Sequence, residues 1–314
     1  MRTAVIAHRG ASGYLPEHTR AAKVLAHLMG ADFLEQDVVA TRDDELIVLH
    51  DIHLDTVTDV GIKYPGRARA DGRYYVRDFD LAEIRTLAAW ERMREDGSAV
   101  YPARYPAQTG HHRVHTFVEE MLLINRLNKA TGRRAGIYAE IKSPAWHRQE
   151  GVDLAPLLLQ QINKFDGAGD PDLVFVQCFD DAEVRRLKQD LKCRWPIVQL
   201  IGLNEWQEAE TDYAELVTPA GLARVAQLAD GIGPHLSLLY TVVDGQIEKT
   251  PLVANAHALG MIVHPYTFRS DDLPPGFESL EALLRFCVLE LQVDGLFSDF
   301  PDQTIEILQA IDAR

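Results

Sequence analysis

Cysteine is nearly absent from this chain: three in 314 residues, Cys178, Cys193 and Cys287. An odd number cannot all pair within one chain, and no two of them share a zinc-type spacing, so neither a disulfide framework nor a structural zinc site organises the fold. The three are expected as reduced thiols in or near the core. Long apolar runs are missing too, since no segment approaches the roughly 18 consecutive apolar residues of a membrane-spanning helix. An apolar strand pattern begins next to Met1, leaving no charged-then-apolar leader. The chain as written is therefore expected in the cytoplasm, or in the periplasm if a leader was removed. Basic runs are lacking, and the formal charge is −15. A field of that sign repels polyanions, which argues against nucleic-acid partners and against stable membrane association, while leaving room for a small anionic ligand. No linker rich in Gly, Pro or Ser and no fixed-period repeat divides the sequence, so residues 1–314 are expected to form a single domain.

What the chain does have is alternation. Short β-branched or apolar runs at 3–7, 33–39, 136–142, 173–178, 197–201, 231–234, 261–265 and 295–298 are separated by helical patterns such as "RAAKVLAHLM", "FVEEMLLINRLNK", "DAEVRRLKQDL" and "SLEALLRFCVLEL". Strand then helix, about eight times in roughly 300 residues, reads as an α/β fold, a (β/α)8 TIM barrel. Two segments depart from that rhythm. After Val39, "TRDDELIVLHD" is too short for a parallel crossover and is expected to fold back as a hairpin, returning His50 to the barrel mouth near Asp37. Residues 53–113 then form a long insertion rich in Tyr, Arg, Asp and Gly. Insertions in barrels sit in the loops at strand ends, which places this one near the active-site mouth.

In a strand, alternate residues share a face. "FLEQDVV" therefore turns Glu35 and Asp37 one way, and "IYAEIK" turns Tyr138, Glu140 and Lys142 one way, leaving Ile137, Ala139 and Ile141 to pack against helices. Three acids pointed into a barrel exceed what one lysine and one arginine balance, whereas an oxygen-preferring divalent cation takes two or three carboxylates together with waters and substrate. Glu35, Asp37 and Glu140 are the expected ligands of one divalent cation, calcium or magnesium rather than zinc, because every donor is oxygen. His8 and His50 each end a strand at the rim, where two imidazoles can supply a general base and a general acid. The other histidines, His235 and His264 among them, are expected as hydrogen-bonded structural rings. Arg9 suits bidentate contact with phosphate, and Lys142 either adds a second positive charge there or pairs with Glu140.

The stretches "AHRGASGYLPEHT", "LEQD", "VLHD", "YAEIKSP", "VQCF", "ADGIGP", "HPYTFRSD" and "DGLFSDFPD" together resemble the glycerophosphodiester phosphodiesterase family, especially its bacterial glycerol-scavenging branch, usually found in the periplasm. The likeness runs from Ala7 to Asp302 and takes in the insertion motif "RARADGRYY". The resemblance implies a barrel enzyme that hydrolyses deacylated phospholipids, such as glycerophosphocholine and glycerophosphoethanolamine, to sn-glycerol 3-phosphate and an alcohol. It puts the metal carboxylates on Glu35, Asp37 and Glu140, with calcium usual in this branch and magnesium in others. Catalytic histidines fall on His8 and His50, and phosphate contacts on Arg9 and Lys142. Glu17 falls on a position behind the metal ligands or beside the glycerol, and Gln177, Phe179, Tyr266 and Phe297 on pocket-lining positions. Many relatives carry Asn where His18 stands, although the branch named resembles this sequence there.

Two other readings use the same residues. A phospholipase-like barrel acting on intact lipid calls for an exposed apolar or basic membrane face, which this acidic chain does not advertise. A non-catalytic phosphodiester-binding protein has little need of two rim histidines beside the metal acids.

Overall fold

The computed structural model describes residues 2–94, 96–106, 108–109 and 112–313. Both ends of the expected 1–314 domain, and residues 95, 107, 110 and 111 of the expected 53–113 insertion, lie outside the described residues. The strands in chain order are β1 (Ala4–Ala7), β2 (Phe33–Ala40), β3 (Leu46–Val48), β4 (Gly136–Ile141), β5 (Val174–Cys178), β6 (Ile197–Ile201), β7 (Gly231–Pro234), β8 (Tyr240–Val243), β9 (Gln246–Lys249), β10 (Ile262–Val263) and β11 (Gly295–Ser298). Eight of them run in the order β10-β7-β6-β5-β4-β2-β1-β11, with parallel ladders throughout. The two ends of that order meet, because Asp294 N–H donates to Val263 O at 3.1 Å and Phe297 N–H to Pro265 O at 3.0 Å. A helix follows every barrel strand, in turn Arg20–Met29, Phe117–Thr131, Leu154–Ile162, Asp181–Gln189, Pro219–Val225, Leu252–Ala258, Leu280–Arg285 and Pro301–Asp312. The expected (β/α)8 barrel is the observed fold.

Strand alternation separates two apolar layers. Leu34, Val38, Ile137, Ala139 and Ile141 face outward and pack with Phe117, Met121 and Leu158 of the surrounding helices. Burying each such Leu, Ile or Phe contributes about 1.5–3 kcal/mol. Ile6, Phe33, Tyr138, Val198 and Phe297 face inward and fill the barrel. Tyr138 stacks on Phe175 at 4.8 Å and meets Phe297 edge-on at 5.0 Å, so aromatic rings floor the space under the mouth. A Cβ at Gly136 would lie 2.6 Å from the Phe33 ring and 2.7 Å from Leu173 O, so the start of β4 needs glycine to let Phe33 in.

The hairpin forms as expected. β3 pairs antiparallel with β2 through Val38↔Val48, and Leu49 N–H donates to Asp37 O at 2.9 Å, which delivers His50 to the mouth. The described part of the insertion has its own apolar cluster, in which Leu54, Val57, Val76, Phe79 and Leu87 pack on Val39 and Ile47. Several short elements were not read from the sequence, two of them instructive. The short helix Pro219–Val225 carries Gly221, whose absent Cβ lets it press on Glu215 O, and its seven residues show too little periodicity to stand out. The β8–β9 hairpin turns through Asp244 and Gly245 at φ 49° and 76°. "DG" between alternating apolar residues is a strong hairpin signal, and it was available at that position. Among the described residues no helix is long and apolar enough to cross a membrane.

Candidate active site

The carboxylates meet because of strand register. Asp37 of β2 sits opposite Glu140 of β4, and Glu140 opposite Gln177 of β5, while Glu35 lies two residues back on the same face as Asp37. Glu35, Asp37 and Glu140 are all buried, with one ligand atom from each within 4.8 Å of the others. Gln177 Nε2 donates to Glu35 Oε1 at 3.0 Å, and the Arg9 N–H donates to Glu35 Oε2 at 2.8 Å. His18 Nε2–H donates to Asp37 Oδ2 at 2.7 Å, while Asp37 Oδ1 has no hydrogen-bond partner. Arg9 and His18 both adopt positive φ, 58° and 56°, and the loop between them is pinned by His18 N–H donating to Arg9 O at 2.9 Å. Backbone strain of this kind persists where surrounding contacts over-determine it.

The electrostatics of the cluster suit a cation. Burial and the nearby Asp37 charge push the Glu35 carboxyl up to about 8. Burial, with Asp37 and Glu35 as neighbours, raises Glu140 as well, against the pull of Lys142. Burial opposes ionisation of Asp37 too, but His18 holds it well below the usual carboxylate range. Three carboxyls that cannot all ionise together, an orphaned Asp37 Oδ1 and an all-oxygen donor set fit a hard divalent cation.

Each expected catalytic histidine is anchored from behind by a carboxylate. His8 Nδ1–H donates to Asp299 Oδ1 at 2.6 Å, and His50 Nδ1–H donates to Asp51 Oδ1. That fixes both rings with Nε2 free of the anchor. His8 Nε2 is 4.0 Å from Glu35 Oε2, and Lys142 Nζ donates toward His50 Nε2 at 3.3 Å. Burial lowers His8 to about 4 despite Asp299, and burial with Arg9 and Lys142 lowers His50. Both shifts favour the neutral ring, the form able to accept a proton at Nε2.

The other expected residues converge on the same mouth with two refinements. A cavity of about 300 Å³ is lined by His8, Arg9, His50, the three carboxylates, Gln177, Phe179, Tyr266 and Phe297. Lys142 forms the pairing with Glu140 that the sequence left open, its ammonium 2.8 Å from Glu140 Oε1 and 3.3 Å from His50 Nε2. Glu17 faces an adjoining cavity, where it pairs with Arg9 at 2.9 Å and Arg92 at 2.6 Å. His264, as expected, is a structural ring, hydrogen-bonded to Tyr138 Oη at 2.9 Å. His235 is also the expected hydrogen-bonded, half-buried ring, its Nδ1 2.8 Å from Ser237 Oγ, and it lines the main cavity as well, edge-on to Trp206 at 4.8 Å. Sequence reasoning also missed Asp299, Arg269, Trp206 and Glu208. Asp299 follows β11 directly, and a polar residue just beyond a barrel strand was the available signal.

Fold and site together define a barrel whose mouth carries a buried carboxylate cluster able to hold a cation, with a guanidinium and two imidazoles at its rim. The family model for the glycerophosphoryl diester phosphodiesterase family matches residues 8–303. This chain belongs to that family. A Haemophilus influenzae protein named glycerophosphodiester phosphodiesterase is 40% identical over 327 aligned residues, covering 98% of this chain and 90% of its own. Among solved structures, a Silicibacter pomeroyi protein assigned to the same phosphodiesterases superposes with a TM-score of 0.73 at 24% identity, covering 99% of this chain and 94% of that one. An Oleispira antarctica phosphodiesterase, solved in complex with the product sn-glycerol-3-phosphate, superposes with a TM-score of 0.66 at 20% identity, covering 98% and 97% of the two chains. The chain is an enzyme of the glycerophosphodiester phosphodiesterase class.

Proposed function

We propose that the chain hydrolyses small glycerophosphodiesters, glycerophosphocholine and glycerophosphoethanolamine among them, to sn-glycerol 3-phosphate and an alcohol. In this reading Glu35, Asp37 and Glu140 hold one divalent cation, calcium in preference to magnesium, and His8 and His50 move the protons. The observation that carries it is the meeting of three buried carboxylates with two carboxylate-anchored imidazoles at one cavity. The product complex of the Oleispira antarctica relative supports the product assignment.

A divalent cation, when bound, supplies Lewis-acid polarisation of the phosphoryl oxygens. Arg9 holds a non-bridging oxygen at the rim, its guanidinium already oriented by Glu17. One imidazole, neutral, accepts the nucleophile's proton at Nε2 as the new P–O bond forms; the other, entering the step as the imidazolium beside the diester's negative charge, gives up its Nε2 proton as the bond to the alkoxide breaks. Asp299 and Asp51 keep each Nδ1 protonated while this happens, so that only Nε2 gains or loses a proton. The nucleophile is water or the glycerol 2-hydroxyl of the substrate, the latter passing through a cyclic phosphate. The 53–113 insertion belongs to the same domain and shapes the mouth.

Glycerol 3-phosphate release, followed by a coupled dehydrogenase, tests the reading. Glycerophosphoethanolamine and glycerophosphocholine should yield it and phosphatidylcholine should not. Absence of product from both small diesters, or a preference for the intact lipid, would refute it.

A further inference from the structure

Two cavities flank the paired imidazoles. The main one, built on barrel strands, holds the carboxylates and an aromatic wall. The second, of about 240 Å³, lies between the barrel mouth and the insertion and shares His8, Arg9, His50 and Arg269 with the first. A diester whose phosphate sits at the shared rim therefore extends one arm into each.

The charges around the second cavity close among themselves with one exception. Arg9 pairs with Glu17 at 2.9 Å, and Arg92 with Glu17 at 2.6 Å and Asp51 at 2.7 Å. Arg104 pairs with Asp271 and Asp299, both at 2.8 Å, and Arg269 with Asp299 at 2.7 Å. Four guanidiniums are thus matched by four carboxylates. Glu91, on the insertion, is a fifth acid. It lines the same cavity, is only 3% exposed, and its Oε2 has no hydrogen-bond partner. A buried carboxyl oxygen without a donor is destabilising, and a ligand bringing the donor relieves it. Burial and the neighbouring Glu17 push this carboxyl up to about 7, as expected of a group short of a cation.

We infer that the second cavity takes the alcohol arm of the diester, and that Glu91 selects an arm carrying a primary ammonium, accepting its N–H at Oε2. The inference rests on the phosphodiesterase reading above. The glycerol phosphate half is common to all these substrates and suits the wall built on barrel strands, whereas the half that varies falls to the side walled by the insertion. A trimethylammonium has no N–H to offer, and the Tyr101 face that would cradle it is covered by the Arg104 guanidinium at 3.7 Å. Ethanolamine is accordingly favoured over choline.

Steady-state kinetics of wild type and Glu91→Gln on glycerophosphoethanolamine and glycerophosphocholine test this, with inhibition by glycerol 3-phosphate as a second readout. Wild type should prefer the ethanolamine diester. Glu91→Gln should lower kcat/KM for that diester about tenfold or more, chiefly through KM. It should move the choline diester by less than about twofold and leave product inhibition unchanged, since glycerol 3-phosphate does not enter the second cavity. An equal loss on both diesters with weakened product inhibition, or no loss on either, would overturn the assignment. Should the variant not fold, a wild-type preference for choline or for neither would overturn it equally. Wild type inactive on both diesters would remove the phosphodiesterase reading itself, and this inference with it.

Discussion

In the proposed mechanism His8 and His50 carry the proton traffic, each held by the carboxylate behind it. Replacing either by Ala should lower turnover by about 10²–10⁴, with a double variant less than additive, measured as kcat on glycerophosphoethanolamine. Asp299→Asn frees the His8 ring to adopt the other tautomer, with Nε2 protonated, and should cost about 10²-fold or more while KM changes little. A near wild-type kcat would contradict that role. His147 gives a separate test, away from the chemistry. Its Nδ1–H donates to Ser143 O at 3.0 Å and its Nε2 accepts the Ala40 N–H at 3.2 Å, an arrangement only the neutral ring can make. Burial lowers it to about 4 from the ordinary 6.5. The unfolded chain therefore takes up a proton below pH 6.5 that the folded chain refuses until about pH 4, and stability is lost as pH falls through that window. Relative to His147→Gln, wild type should lose up to about 3 kcal/mol between those limits, read from urea unfolding at stepped pH. A difference that does not vary with pH would contradict it. At this scale, the sequence exposed His8, His50 and the three acids because each ends or alternates along a recognisable strand. It hid Asp299, which reaches His8 from 291 residues away, since adjacency in space leaves no trace in local pattern.

Among elements, the register between β2 and β4 sets the carboxylate cluster, and two buried features hold β2 in place. Lys23, from the first helix, pairs with Glu120 of the helix Phe117–Thr131 at 2.9 Å with both side chains fully buried, and its ammonium also donates to Glu35 O. Lys23→Met leaves the Glu120 charge without that partner and should cost about 3–5 kcal/mol in urea unfolding. A loss under 1 kcal/mol would show that the pair is dispensable. Gly136→Ala forces the new methyl against the Phe33 ring and should cost about 1–3 kcal/mol. Element type was legible wherever periodicity was long, as in the helices Arg20–Met29 and Phe117–Thr131. It faded where elements are short: β10 has two residues, and the expected "SLEALLRFCVLEL" helix changes to a π-helical turn over Phe286–Glu290. Periodicity over so few residues does not distinguish one winding from another.

For the molecule as a whole, closure of the barrel brings β1 and β11 side by side and so joins His8 to Asp299, which explains why the fold had to be inferred before the site could be completed. The eight-fold alternation was readable because each strand–helix unit repeats the same burial problem. The contacts of the insertion with the mouth were not, since Arg92 and Arg104 look like ordinary surface arginines until the chain is folded. Burial raises both Glu35 and Glu140 in the metal-free protein, so cation binding should release protons. Calorimetric titration of Ca²⁺ at pH 7 in buffers of different ionisation enthalpy would show this as a buffer-dependent heat, and identical heats would count against the cluster as ligand set. The most direct measurement is glycerol 3-phosphate release by chelator-stripped protein as Ca²⁺ is added back. Negligible turnover without the ion, recovery that saturates, and loss of that recovery in Asp37→Asn are the expected results; turnover undiminished by the chelator, or recovery preserved in Asp37→Asn, would contradict the account.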